Sequence, residues 1–441
     1  MVSSAVVLAA MGAAVAAMAP GCANEVTRLV GPREPVLLDF HEVPLPKQPD
    51  GQARSRLPEI EGIAHVEHKD GTTRVIVRGK PGPAFDFIGD GPVLVDGKVV
   101  YIGVRKDKHF LVFGDVEKGP YEAKIESCFS LSERNLGLTV SPDRRHVAVW
   151  MRRGEREFVI LDGVEGQPYD VRGDPWRLEF SPDSNRLAYV ASKGGGEVVV
   201  VDGRESAGYD EVSRFTFSPD SKHWVAKASR RVEGEWRYCL LADGVEVGWY
   251  DSTDGTPCFS PDSQRLAYVA LRERYRIQCF VVVDGVEGKE YDPVTEPGLT
   301  FSPDSRRVAY VARRAGKSFA VFDGAESRPY EKVLYPRFSP DSRRTAYAAR
   351  SGDRWFVVVD GKEGKSYGEC SPPVFTPDSR YVAYIAARAE GAFLVVGGSE
   401  IGPYEVADFR PEIVFDGPTL LKVTLKREGK PLRLEVRLPP S

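Results

Sequence analysis

Along most of this chain, short apolar runs alternate with clusters of turn residues, at a beat too quick for amphipathic helices. From Trp176 to Tyr209 the order is Trp-Arg-Leu-Glu-Phe, Ser-Pro-Asp-Ser, Asn-Arg-Leu-Ala-Tyr-Val-Ala, Ser-Lys-Gly-Gly-Gly, Glu-Val-Val-Val-Val, Asp-Gly-Arg-Glu-Ser, Ala-Gly-Tyr. Every apolar run has strand length and none has a 3.6-residue period, so the pattern predicts four short strands, A to D, joined by tight turns. The unit then recurs. Ser-Pro-Asp begins at Ser141, Ser181, Ser218, Ser260, Ser302 and Ser339, and Thr376-Pro377-Asp378 follows, with steps of 40, 37, 42, 42, 37 and 37 residues. A period of this length means copies of one supersecondary unit, stacked or arranged radially.

Each strand carries its own marker. Strand A ends on Phe180, Phe217, Phe259, Phe301 and Phe338; strand B reads Leu266-Ala267-Tyr268-Val269-Ala270 or a near variant; strand C is valine-rich, as at Val357–Val359. Strand D carries a tyrosine, at Tyr121, Tyr169, Tyr209, Tyr250, Tyr291, Tyr330, Tyr367 and Tyr404. Proline presets φ for the A–B turn and the neighbouring Asp and Ser hydrogen-bond its backbone. Asp-Gly pairs such as 284–285 and 323–324 supply a positive-φ residue for the C–D reversal. Because strands B and C are apolar on both faces, each small sheet needs cover on both sides. Four antiparallel strands in ~40 residues, sandwiched between copies of themselves, make a β-propeller blade.

The expected fold is therefore all-β: a single β-propeller of eight four-stranded antiparallel blades, with seven to nine compatible with the sequence. A β-solenoid would need shorter rungs. Ring closure calls for strands from both termini; Glu412–Phe415, Leu420–Leu425 and Leu432–Leu438 are available at one end, and Ile63–His68, Thr73–Arg78 and Phe85–Ile88 at the other. Residues 58–441 are assigned to the propeller and the proline-rich 23–57 to an irregular lead-in. Residues 1–22 read as a signal peptide: Ala5–Ala19 is almost wholly apolar, too short for a comfortable membrane span, and stops at Pro20-Gly21-Cys22. Gly21-Cys22 resembles the end of a bacterial lipobox, which would make Cys22 a lipidation site of an exported, periplasmic or membrane-anchored protein.

Composition narrows the function. With 60 Lys plus Arg against 64 Asp plus Glu the net charge is −4, so no nucleic-acid partner is expected. Cys128, Cys239, Cys258, Cys279 and Cys370 have no CxxC spacing and an odd count, which argues against metal binding and a full disulfide framework, with a Cys239–Cys279 bond conceivable but not favoured. His65 and His68, three apart on a strand, point to opposite faces and cannot share a metal. Asp251-Ser252-Thr253-Asp254-Gly255 has calcium-loop composition without the ligand alternation of an EF-hand. No zinc-protease, Walker or nucleophile-elbow motif occurs. Hence no catalytic, metal or cofactor residue is assigned, and no cofactor is expected.

The string Phe-Ser-Pro-Asp-Ser-x-Arg-x-Ala-Tyr-Val-Ala, as at Phe301–Ala312, resembles the WD40-like repeats of TolB-type propellers over roughly residues 85–438. That resemblance implies a partner-binding protein of the cell envelope, or a propeller that accompanies a peptidase. It is specific for fold and nearly silent on function.

One asymmetry among the copies is chemical. The B–C loops are basic, through Arg152 and Arg153, Arg230 and Arg231, Arg272 and Arg274, Arg313 and Arg314, and Arg350 and Arg354. Solvated loop charge accounts for them; the sharper reading is a cationic rim that steers an acidic protein or anionic macromolecule. The expectation is an exported, non-enzymatic, monomeric interaction scaffold, membrane-bound only through a lipid anchor. The alternatives are an enzyme acting on polysaccharide or peptide in the central funnel, or an accessory propeller to a separately encoded peptidase.

Overall fold

The computed structural model describes residues 38–44, 60, 62–122, 138–171, 178–273, 277–292, 298–405, 413–417 and 419–439. The signal segment with Cys22, and also Cys128 and Arg274, lie outside the described residues. No α-helix occurs among the described residues, and the strands form antiparallel sheets of propeller-blade type. The chain divides into two compact units, Pro49–Trp249 and Met1–Gln48 with Tyr250–Ser441.

The blade Thr300–Glu326 shows why this sequence folds as it does. Its strands are Thr300–Phe301, Val308–Arg314, Lys317–Phe322 and Ala325–Glu326, each paired antiparallel to the next. In the A–B turn the Ser302 hydroxyl donates to Asp304 Oδ1 at 2.5 Å, and Ser302 Oγ accepts the Arg307 amide at 2.9 Å. Asp323 (φ 52°) and Gly324 (φ 78°) make a two-residue reversal with both central residues left-handed, the type I′ geometry that follows strand twist. The middle strands are buried on both sides. Val308, Tyr310, Ala312, Phe319 and Val321 pack on Val269, Val281 and Tyr291 of the preceding blade, while Val311 and Ala320 pack on Tyr347, Phe356 and Val358 of the next. Phe301 sits in the first of these clusters; burying one such side chain contributes roughly 1.5–3 kcal/mol.

Five of the eight tyrosine-marked copies form separate four-stranded sheets of this kind; the Tyr169 and Tyr209 copies join through the Asp170–Ser192 pair into one nine-stranded sheet, and the Tyr404 copy has five strands. Two further sheets, one in each unit, carry no tyrosine marker. In the Pro49–Trp249 unit, Ala64–Lys69, Thr72–Val77 and Lys80–Pro81 form a three-stranded sheet, and Phe85 bridges Thr73 where other copies use tyrosine. In the other unit, Ile413–Asp416, Leu420–Arg427 and Lys430–Arg437 are completed by Asp39–Pro44 as the outermost strand, Asp39 opposite Arg437 and Pro44 opposite Leu432. This corrects the reading of 23–57 as wholly irregular: a six-residue edge strand flanked by prolines leaves little periodic signal, yet it pairs along its whole length. The expectation that every sheet is apolar on both faces also fails here. Leu421, Val423, Leu434 and Val436 are buried, but Thr424, Arg433 and Arg437 on the opposite face are exposed. A sheet with one wet face is the usual end of a repeat array.

Candidate functional site

The loop ends of the blades are where the copies carry chemistry, and three repeated polar ties position them. The first is at the A–B turns. Asp183 N donates to Ser221 Oγ of the next copy at 3.0 Å, Asp304 N to Ser342 Oγ at 2.9 Å and Asp341 N to Ser379 Oγ at 3.0 Å. Arg186 and Arg344 pair with Asp202 and Asp360 of their own C–D turns at 2.8 and 2.9 Å, and each reaches two backbone carbonyls of the following blade. The Ser-Pro-Asp repeat is thus an inter-blade staple as well as a turn.

The second tie joins strand-D tyrosines to a glutamate two residues past the next blade's C–D reversal. Tyr291 donates to Glu326 at 3.0 Å, Tyr367 to Glu400 at 2.7 Å, Tyr121 to Glu165 at 2.8 Å and Tyr209 to Glu246 at 2.9 Å. An arginine near the end of strand B supplies the countercharge: Arg388 lies 2.5 Å from Glu400, Arg153 2.8 Å from Glu165 and Arg230 3.3 Å from Glu246. Arg314 pairs with Glu326 and stacks 5.7 Å above the Tyr291 ring. In the final sheet the N-terminal strand provides the glutamate, Glu42, which accepts from Tyr404 at 2.8 Å and pairs with Arg427. Burial pushes the Glu326 and Glu400 carboxyls up, but the tyrosine hydroxyls and the nearby cations outweigh it and hold both below the usual carboxylate range. Burial, with the glutamate beside it, pushes the Tyr209 phenol up.

The third tie is an acid directly after the tyrosine, which caps the next B–C turn. Asp170 accepts the Gly194 amide at 2.8 Å, Asp210 that of Arg231 at 2.6 Å, and Asp292 that of Ala315 at 2.8 Å.

These ties sort the arginines of the expected basic rim. Arg153, Arg230, Arg272 and Arg314 are ion-paired to Glu165, Glu246, Glu287 and Glu326, so they serve the seam between blades. Arg152 donates from Nε to Gly154 O at 2.8 Å, and Arg231 stacks 4.8 Å over Trp236. Arg313 lies opposite Asp292 in the strand register, Arg350 stacks 5.7 Å over Trp355, and Arg354 is exposed at the start of its strand. Nine of the ten are described, and four of those nine are engaged in these ties. The partner glutamates and the post-tyrosine acids were overlooked in the sequence, although both recur there, in Asp-Gly-x-Glu and in Tyr-Asp or Tyr-Glu.

The remaining sequence candidates are local. His65 and His68 stand opposite Ile76 and Thr73, and His68 Nδ1 is 2.9 Å from Thr73 Oγ1. Asp251–Gly255 opens strand A of its blade, with Gly255 at φ 67° and its amide donating to Asp254 at 2.7 Å. Cys239, Cys258, Cys279 and Cys370 are free thiols, and burial pushes Cys239 and Cys370 up to about 12. Among the described residues no group of three or more His, Cys, Asp or Glu is placed to hold a metal.

No family model and no curated protein matches the chain. Among solved structures it is similar to a eukaryotic initiation factor at 12% identity, over 85% of this chain and 98% of that one, with a TM-score of 0.38. It is similar to TolB from Acinetobacter baumannii at 13% identity, over 74% and 94%, with a TM-score of 0.25. A third is Pyrococcus horikoshii acylaminoacyl peptidase at 11% identity, over 66% of this chain and 58% of that one, with a TM-score of 0.29. The blade architecture is carried by the sheet topology itself.

Proposed function

We propose that this chain is a non-enzymatic interaction scaffold of an envelope, exported through its apolar N-terminal segment and binding an acidic macromolecular partner through its B–C hairpins. One observation carries the reading. The recurring charges are absorbed in inter-blade ties, which hold a stiff frame, while the hairpin tips that the ties leave over differ from copy to copy: Arg231 on Trp236, Arg350 on Trp355, Arg354 in solvent. Rigid frames that present variable loops suit recognition.

The decisive experiment reverses charge at positions outside the ties. A variant carrying Arg231→Glu and Arg354→Glu is expected to fold and to lose partners retained by the parent from envelope extracts, read by crosslinking and mass spectrometry. Retention of the same acidic partners would remove the reading. Incorporation of a palmitate analogue, abolished by Cys22→Ala, tests the anchored form.

A further inference from the structure

The hairpin of strands Thr345–Ser351 and Arg354–Val359 meets its strand-B cation differently from three other blades. Those blades carry a cation at the next-to-last place of strand B or its equivalent, and in each the acid directly after the strand-D tyrosine stands opposite it: Glu122 faces Arg152, Asp292 faces Arg313 and Glu405 faces Lys426. Here the equivalent acid is Glu331, whose amide donates to the Arg350 carbonyl at 3.0 Å, but the residue in register with Arg350 is Lys332. Like charges directly opposite each other on one sheet face destabilise it. Among the described residues no carboxylate lies within ion-pair distance of either side chain. Arg350 Nε is buried and without a hydrogen-bond partner, a state that destabilises the fold.

On its other flank Arg350 pairs in register with Trp355, and the guanidinium stacks 5.7 Å over the indole. That contact fixes the plane of the guanidinium, while Lys332 is exposed beside it. A planar donor fork held against an aromatic ring, with an ammonium on the adjacent strand, is the arrangement that receives a carboxylate in two-point fashion. All three residues lie on regular strands of one blade, so the geometry is set before any ligand arrives.

We propose that Lys332, Arg350 and Trp355 form a binding subsite for a carboxylate side chain of an acidic, extended peptide segment. This rests on the scaffold reading above and names the chemistry of one contact within it. A densely charged polyanion fits less well, because Glu331 and Asp353 are exposed close to the row in sequence and limit its positive field. The ligand's carboxylate supplies the ion pair to the Arg350 guanidinium that Glu331, bonded to Arg350 through its backbone, does not make.

The test uses the full chain and a fluorescein-labelled oligoglutamate peptide at low ionic strength, read by anisotropy. Binding is expected, and Arg350→Met should weaken it about tenfold or more. Lys332→Glu should abolish it while leaving the thermal transition unchanged or raised, because the substitution replaces a like charge in register with Arg350 by an opposite one; this variant separates loss of the subsite from loss of fold. Quenching of tryptophan emission on binding should vanish in Trp355→Phe. Absence of peptide binding by the parent, or equal binding by Lys332→Glu, overturns the proposal. Tighter binding of polyphosphate or heparin fragments than of the peptide, suppressed by the same variants, overturns the carboxylate assignment. Loss of peptide binding in Lys332→Glu with envelope partners still captured would confine the subsite to a minor contact and leave the scaffold reading standing; a parent that binds the peptide but captures no partner would do the reverse.

Discussion

Two adjacent blades, Thr300–Glu326 and Lys332–Glu363, share a backbone plan and differ in how their charges are settled. In the first, Glu326 takes the Tyr291 hydroxyl, Arg314 of its own hairpin and Lys289 of the preceding blade, and Arg313 stands opposite Asp292. In the second, Ser351 occupies the place of Arg314, Glu363 is paired by Arg328 from the preceding blade, and Arg350 stands opposite Lys332. Both nevertheless bury their strand-A phenylalanine, Phe301 and Phe338. The lesson is that apolar cover sets the blade, whereas the tyrosine–glutamate–arginine tie belongs to a second layer that one copy can lose without losing its sheet. A copy that has lost that tie is free to direct its charges elsewhere.

Three measurements sharpen this contrast. The largest effect is expected from Glu326→Ala, which strands the Tyr291 hydroxyl and releases Arg314; a loss of about 2 kcal/mol follows from leaving a partly buried donor unmet. Glu363→Ala removes a pair whose arginine is largely exposed and should cost less than about 1 kcal/mol. Urea titration of the two variants side by side measures the difference, and equal losses would erase the distinction between the blades.

The second is pH dependence. The Glu326 and Glu400 carboxyls lie below their unfolded value of 4.5, so the stability they contribute is present above that value and is lost as pH falls through their lower folded values. A Glu326→Gln, Glu400→Gln variant should be less stable than the parent at neutral pH, and the gap should close in acid. A gap that does not change with pH would mean the two ties contribute by packing alone.

The smallest effect is a gain. Ser351→Arg restores the missing cation beside Glu363 and Tyr330, where it competes with Arg328, and should stabilise the chain by about 0.5 kcal/mol or less in thermal melts. A loss of stability would show that the hairpin has no room for the side chain.

Much of the fold was legible because it is written in local rules. Ser-Pro-Asp, Asp-Gly and the runs around Ala-Tyr-Val-Ala declare turns and doubly buried strands within a few residues of sequence, and the strand-D tyrosines mark all eight regular copies. The terminal strand Asp39–Pro44 was hidden because its partner lies at the other end of the chain, and only pairing across that gap gives the segment meaning. The engagement of Arg314 was hidden for a related reason. Arg314 and Glu326 are 12 residues apart, and Tyr291 lies 35 residues before Glu326, so a linear reading sees a basic loop and an acidic turn on separate exposed elements. Folding brings the strand-B end and strand D of one hairpin side by side and slides the previous blade's tyrosine against them. The charges that look free in one dimension are the ones most firmly engaged.

Glu42 also carries a consequence for how the molecule is made. Its partners Tyr404 and Arg427 leave the ribosome 362 and 385 residues later. At about 5–20 residues per second, the opening strand must wait some tens of seconds before the sheet it completes exists. During that interval it is an unpaired edge beside a growing array. Anything that holds the nascent N-terminus elsewhere, whether a translocation channel or a chaperone, therefore governs when the last sheet gains its outer strand.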